Sequence, residues 1–429
     1  MMHVRESRFV VLGMVLLMLG VSFAQRGAIQ VVGDPDLVIR VDGEIVGLVS
    51  NEPGGLLITD VRVGDRLVEA LDAGEVILTE VVSVEQGEVS VFEAVNRWPH
   101  QFEASNADWI AGLVVGNAGT TYVAGSTWVL FGRENAGPAG FVRALDRDGR
   151  ELWTQQIGTS GGDNVWGVAV DDAGVIYAAG STWGSLGGEN QGKSDGFVRA
   201  FDRDGRELWT QQIGTSEGDG VSDVAVDDAG VLYVAGSTEG SLGGENQGKD
   251  DGFVRALDRD GRELWTQQIG TSEGDGVYGV AVDDAGVLYV AGSTNGSLGG
   301  PNLGERDGFV RALDRDGREL WTQQFGTSEG DGVSDVALDD AGVLYVAGST
   351  EGSLGGPTVG ERDGFVRALD RDGRELWTQQ FGTSEWDVVH GVSVDDAGGI
   401  YVAGITSGSL DGENSGGFRI FVNRLLPSE

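Results

Sequence analysis

The sequence predicts an all-β chain in which one four-stranded antiparallel sheet is repeated and the copies close into a ring. Three observations predict it. A string close to GFVRALDRDGRELWTQQIGTS begins at Gly140 and returns at Gly196, Gly252, Gly308 and Gly364, a step of 56 residues each time. Within each copy the apolar runs are short, β-branched or aromatic, and bounded by Gly and Asp, and none is spaced at 3.6 as a helix requires. Glycine supplies 74 of the 429 residues against 7 prolines, which indicates many tight turns rather than long disorder.

Taken in chain order, the first element is a leader at 1–24. Arg5 and Arg8 form a basic start, FVVLGMVLLMLGVSF an apolar centre, and Ser22-Phe23-Ala24 the small residues of a cleavage site. The apolar run is short for a retained span, so cleavage before Gln25 is expected, with an uncleaved anchor as the alternative. The expectation is an exported, soluble chain without a membrane span, its final address being periplasm, cell surface or medium. Cysteine is absent, so stability must come from burial or bound ions rather than disulfides. The formal charge of −39 repels nucleic acid and anionic lipid and draws cations or basic partners.

Residues 25–96 form the second element. AIQVV, DLVIRVDGEIVGLV, LLITDVRVGDRLVEAL, VILTEVVSV and VSVFEAV alternate apolar and polar residues, with turns at VDGE, VGD and EQGE. This is the pattern of a small antiparallel β-sandwich, serving as a spacer or docking module. GDPDLVIRVDGEIVG resembles the opening of PEGA-type surface domains, although the Pro-Glu-Gly-Ala signature itself is absent.

The repeats occupy 97–429. From Val221 one unit offers four strands, A to D, in VAV, VLYVAG, GFVRAL and ELWTQQIG. The A–B turn DDAG and the C–D turn DRDG place Gly where a tight hairpin needs positive φ, while the B-to-C loop is long. One such meander cannot cover both of its faces, so copies must stack, in a solenoid or a closed propeller.

The ends of the chain favour closure. Tyr122, Tyr177, Tyr233, Tyr289, Tyr345 and Tyr401 mark six B strands, but Trp153, Trp209, Trp265, Trp321 and Trp377 mark only five D strands after them. The sixth D strand precedes the first A strand, with Trp98 in RWPHQF aligned to Trp153, and the last copy stops after its C strand at FVNRLL. In a ring the first segment fills the gap left by the last, and no edge stays open. The expected architecture is a six-bladed β-propeller, a monomer, with the repeated Trp, Tyr and Phe between blades.

YVAGST, GFVRALD and LWTQQIGTS resemble the SBBP family of bacterial β-propeller repeats, over about 97–429. The resemblance implies the fold and an exported or surface protein, and implies no reaction.

Two rings of residues are candidates for function. DRDG resembles the start of a calcium loop, but a strand follows directly and the distal Glu is missing, so it reads as a turn whose carboxylates cap backbone N–H groups. Asp108, Asp163, Asp219, Asp275, Asp331 and Asp387 occupy one equivalent position in the D-to-A loops of all six copies. Oxygen ligands make Ca²⁺ the ion they would take; the other reading is that they hydrogen-bond loop backbones. Only His100 and His390 remain after the leader as bases, so Ser/His catalysis is not expected.

Function should sit where near-identical copies differ. Trp109, Trp128, Trp166, Trp183 and Trp386 are the five Trp outside the repeat pattern, all in the D-to-A or B-to-C loops of copies six, one and two. In copies three to five the matching positions hold Ser222, Glu239, Asn295, Ser334 and Glu351, with Tyr278 the exception, and His390 matches Trp166. Such an aromatic arc suits sugar rings or peptide side chains; the alternative is that it repacks ring closure or lies under the first domain. The expected function is a non-enzymatic propeller binding a protein or glycan partner, requiring no cofactor. A metal-dependent hydrolase or lyase at the Asp ring, and an acidic scaffold without a specific ligand, are the alternatives.

Overall fold

The computed structural model describes residues 26–33, 37–50, 55–72, 75–94, 109–116, 119–128, 138–147, 149–395, 398–408 and 419–425. The leader, the Trp98 segment and Asp108 lie outside the described residues. Every element among them is a strand, and none of their helices is long and apolar enough to cross a membrane because there are none. The chain divides into two units, Met1–Phe102 and Glu103–Glu429.

In the first unit, Leu56–Arg62, Arg26–Gly33 and Val89–Ala94 form one sheet; Glu44–Leu48, Val38–Val41, Gly64–Asp72 and Glu75–Val84 form the other. Alternation delivers Ile29, Val31, Ile39, Val68 and Phe92 from both sheets into one buried cluster. One pairing departs from the antiparallel expectation. Arg26–Gly33 already has Leu56–Arg62 along one edge, so the last strand takes the other edge, and it runs parallel, with Ile29 opposite Ser90.

The second unit is a series of meanders, each paired in simple sequence order. In the third repeat the strands are Asp219–Val226, Leu232–Thr238, Asp251–Leu257 and Glu263–Ile269, lettered A to D as in the sequence. The six A strands are Trp109–Val115, Asp163–Val170, Asp219–Val226, Asp275–Val282, Asp331–Leu338 and Asp387–Val394. Each contacts the A strand of the next repeat, so they stand side by side in one row. Five sheets have four strands; the sixth has three, ending at Arg419–Leu425, and no fourth strand pairs with it among the described residues.

The core lies between sheets rather than within one. Tyr177, Val198 and Ile213 of the second repeat share a cluster with Val221, Leu232 and Phe253 of the third. The same set recurs at the next junction, from Tyr233 and Val254 to Leu288 and Phe309, and again at the one after. Each buried Phe contributes about 2–3 kcal/mol. One sentence is written many times because one sentence solves every junction.

The D-strand Trp is a clamp on the following repeat. Trp209 Nε1 donates to the carbonyl of Arg259 at 2.8 Å, and Trp265 Nε1 to that of Arg315 at 2.9 Å. Each indole lies on the DRDG turn of its neighbour. Gly261 has φ of 77°, and a Cβ there would sit 2.8 Å from the Trp209 ring. That glycine is therefore demanded twice, by its backbone and by the ring. Asp258 behaves as a turn residue, its Oδ1 accepting from Asp260 and Arg262 N–H groups at 2.9 Å.

In repeats two to five the second glutamine of TQQ holds the long B-to-C loop. Gln268 Oε1 accepts from Leu242 N at 3.0 Å and Gly243 N at 3.1 Å; its Nε2 donates to Gly240 O at 3.0 Å and Asp251 Oδ2 at 2.9 Å. Gln268→Ala removes four hydrogen bonds at once, two of them to a loop backbone with no other partner offered. The expected result is faster amide exchange and proteolysis across 239–250, with global stability lowered by about 1–3 kcal/mol. Unchanged exchange in that loop would show that the glutamine does not anchor it.

Candidate functional site

Every A strand carries a β-bulge at the same place. In the third repeat Val221 pairs with Gly236 and Asp223 with Ala235, so Ser222 is left out of the ladder. The carbonyl before the bulge presses on the B strand: a Cβ at Gly236 would sit 2.0 Å from Gly220 O, which explains the invariant Gly of the AGST runs. A bulge re-aims its extra side chain. The bulge residues from the second repeat onward are Trp166, Ser222, Tyr278, Ser334 and His390, and the fold thus presents the column in which the copies differ most.

Tyr278, Ser334 and His390 line a cavity of about 320 Å³ on the loop-bearing side of repeats four to six. Arg306 and Arg362, each the last residue before a C strand, form its other wall, with Ser293 and Ser349 between. Arg362 stacks on Trp386 at 4.8 Å and pairs with Glu351, while its buried Nε has no hydrogen-bond partner. Burial lowers the His390 pKa from its ordinary value, so the imidazole is neutral at pH 7. A larger groove of about 570 Å³ is lined by Gly187, Gly188, Glu189, Asn190, Gln191, Gln211 and Gln212, and converges no aromatic set and a single charge.

The aromatic residues singled out in the sequence are all at the surface: Trp109, Trp128, Trp166, Trp183, Tyr278 and Trp386 are between 37% and 60% exposed. Four of the seven predicted ligand residues meet around the arginine cavity. Tyr278 and His390 line it, Trp386 lies under Arg362, and the Trp109 ring stands edge-on to His390 with centroids 6.0 Å apart. Trp166, Trp128 and Trp183 stand apart from that cavity's lining. The Trp183 backbone N–H donates to Gly162 O at 3.0 Å.

The Asp ring is not assembled as a metal centre among the described residues: no three Asp, Glu or His side chains gather there. Each carboxylate is instead engaged by its own loops. Asp219 Oδ2 accepts from Thr215 N at 2.6 Å and Thr215 Oγ1 at 2.8 Å, while its Oδ1 accepts from the Thr238 hydroxyl. The Oδ2 atoms of Asp163, Asp275, Asp331 and Asp387 accept from the matching Thr159, Thr271, Thr327 and Thr383; Asp163 Oδ1 also accepts from the Thr182 hydroxyl, whereas the buried Oδ1 atoms of Asp275, Asp331 and Asp387 have no hydrogen-bond partner among the described residues. Burial raises the pKa of Asp163 and Asp331, against the opposing pull of these hydrogen bonds. Asp108 lies outside the described residues.

Two other carboxylates stand in the row of A strands. Asp223 and Asp335 follow the bulge in repeats three and five, where the neighbouring repeats carry Gly167, Gly279 and Gly391. Asp223 Oδ2 accepts from Val280 N and Asp335 Oδ2 from Val392 N, both at 2.9 Å, so each ties its strand to the next. Both keep a little accessible surface but are surrounded by protein. Loss of hydration raises both pKa values, and for Asp223 the charge of Asp335 adds to the effect.

Sequence reasoning missed Arg306, Arg362, Ser334, Asp223 and Asp335. The signal was present in columns that were compared only for aromatic residues. The residue before DGF runs Ser194, Asp250, Arg306, Arg362, and the residue after the bulge is Asp in repeats three and five and Gly in the others.

Comparison with known proteins bears on the repeats. Residues 152–187, 208–243, 264–299 and 376–411 match the family model described as the SBBP beta-propeller repeat. A 178-residue stretch, 38% of this chain, is 30% identical to the Regulatory protein FlaEY of Caulobacter vibrioides (strain ATCC 19089 / CIP 103742 / CB 15). The stretch spans only 18% of that relative's length. Among solved structures, a glucose dehydrogenase aligns with TM-score 0.41 and 14% identity, over 69% of this chain and 92% of its own. The exotype rhamnogalacturonan lyase YesX aligns with TM-score 0.34 and 14% identity, over 93% of this chain and 73% of its own.

Proposed function

We propose that this chain, which carries SBBP beta-propeller repeats, is an exported, non-enzymatic, six-bladed β-propeller that binds a protein or glycan partner through its loop-bearing face. The observation that carries the reading is the exposed aromatic set on one side of the repeats, Trp109, Trp128, Trp166, Trp183, Tyr278 and Trp386. Aromatic rings left in water on an otherwise acidic surface are costly unless a partner covers them.

A closed ring would cover the two ends of the row. At the inner junctions Val221 and Val254 are buried, at 1% and 0% exposure. Their counterparts at the ends, Ile110 of the first repeat and Val422 of the last, are 59% and 73% exposed. These are the backward face of the first sheet and the forward face of the last, the same pair that meets at every other junction. The Trp109 ring stands edge-on to His390 with centroids 6.0 Å apart, an approach of the first A strand to the last that a ring requires.

Trp128→Ala combined with Trp183→Ala tests the binding reading. Glycan-array and pull-down binding by the full chain should be lost while the melting temperature stays nearly constant, since both indoles are exposed. A large fall in melting temperature would instead make these residues part of the packing.

A further inference from the structure

We infer that the cavity between repeats four and six is a subsite for a carboxylate-bearing sugar, the acidic end unit of a glycan, held by Arg306 and Arg362. The inference deepens the binding reading and rests on it for the glycan, but the subsite stands on its own geometry.

The first argument is charge. The chain has 68 Asp and Glu against 29 Lys and Arg, so a cation without a carboxylate partner is unexpected. Lys193, at the corresponding loop end of the second repeat, finds both Glu217 at 3.3 Å and Glu239 at 2.6 Å. Arg199, Arg255, Arg311 and Arg367 each pair with a D-strand Glu. Arg306 makes no ion pair or side-chain hydrogen bond among the described residues, though its guanidinium is folded inward. A Cβ at Gly332 would meet both its Nη2 and Ser293 Oγ at 3.1 Å. Arg362 spends one end on Glu351 and leaves its buried Nε open.

The second argument is placement. The two arginines occupy the same column in consecutive repeats, whereas repeats two and three carry Ser194 and Asp250 there. In that column repeats two and three offer no cation, and Lys193, one residue upstream, is already paired with Glu217 and Glu239. Guanidinium groups read carboxylates by paired, directional N–H donors.

The third argument is what surrounds the charge. Ser334 and Ser293 offer hydroxyls that both donate and accept, and His390 is neutral, so it also does both. Tyr278 supplies an aromatic ring, and Trp386 stacks behind the Arg362 guanidinium. Hydroxyl-matching groups plus flat apolar faces suit a sugar ring; an extended acidic peptide would ask for a backbone-pairing edge, and the cavity is walled by side chains. A volume of about 320 Å³ sits at the small end of ligand sites and admits one or two sugar units.

The test is calorimetric titration of the full chain with glucuronic acid and a glucuronate-terminated disaccharide, beside the neutral glucose disaccharide. An acidic hexapeptide is run in parallel. Arg306→Gln and Arg362→Gln are compared with Arg318→Gln, a remote exposed turn residue. The expected result is that the acidic sugars bind at least tenfold tighter than the neutral one. Arg306→Gln and Arg362→Gln should each weaken acidic binding about tenfold, with Arg318→Gln and all melting temperatures unchanged. Equal binding of acidic and neutral sugars, no binding of either, or binding of the peptide alone overturns the inference. Array binding to neutral glycans that is lost in the Trp128/Trp183 variant would sink the subsite and spare the wider reading. Glucuronate binding with no array or pull-down partner would do the reverse.

Discussion

Replacing Trp265 with Ala should destabilise the repeat unit by about 3 kcal/mol, near the lower end for loss of a large aromatic side chain. Trp265 packs 6.2 Å from Tyr233 in its own sheet, lies over Gly317 of the next, and donates to Arg315 O. Trp265→Phe keeps most of the ring contact and loses the N–H donation, so it should cost about 1 kcal/mol. Denaturant unfolding gives the two values, and amide exchange locates them. Because each repeat touches only its neighbours, the loss of protection should concentrate in repeats three and four. Protection lost evenly along the chain would show that the clamp is not local.

The second large effect is on pH. The folded-state pKa of Asp223 is pushed up to about 8 and that of Asp335 to about 6, against about 4 for an unfolded Asp. Between those limits the folded chain holds protons that the unfolded chain has released, so stability falls as pH rises. Below about pH 4 both states are protonated and the groups contribute no slope; above about 8 the full penalty is present. Each group contributes at most about 1.4 kcal/mol per pH unit within its window. Asp223→Asn with Asp335→Asn keeps an oxygen to accept from Val280 N and Val392 N, gives up the acceptor for Val224 N and Val336 N, and removes the titration. Melting temperature measured from pH 5 to 8 should fall clearly for the natural chain and much less for the double variant. Parallel curves would show that these carboxyls ionise normally.

The strands and their order were legible in the sequence because their cause is local and repeated: alternation, turn glycines, and one aromatic set per copy. The row of side-by-side A strands follows from that, since a meander with two apolar faces must have two neighbours. The parallel pairing of Arg26–Gly33 with Val89–Ala94 was not legible, because edge choice in a small sandwich depends on which strand arrives first. The bulge was not legible either. Nothing in VSDVAV marks Ser222 as unpaired, and only the Gly236 that it forces on the next strand hints at it. Without the bulge, Tyr278 and His390 are two residues far apart in sequence; with it, they share a cavity with Arg306 and Arg362. The aspartates of the D-to-A loops were visible as a ring, but their Thr partners, four residues upstream, were overlooked as part of the same motif.

The alternation of Asp and Gly after the bulge limits how such a gene can lengthen. Recombination between near-identical segments would insert or delete one copy at a time. Duplicating the third or the fifth would set two aspartates on adjacent strands. A Cβ at Gly279 would already lie 3.0 Å from the Asp335 Cα, and two dehydrated carboxylates side by side would repel. Copies two and four, which carry Gly, can be doubled without that conflict. A designer extending or shuffling this array would have to keep one aspartate copy from following another.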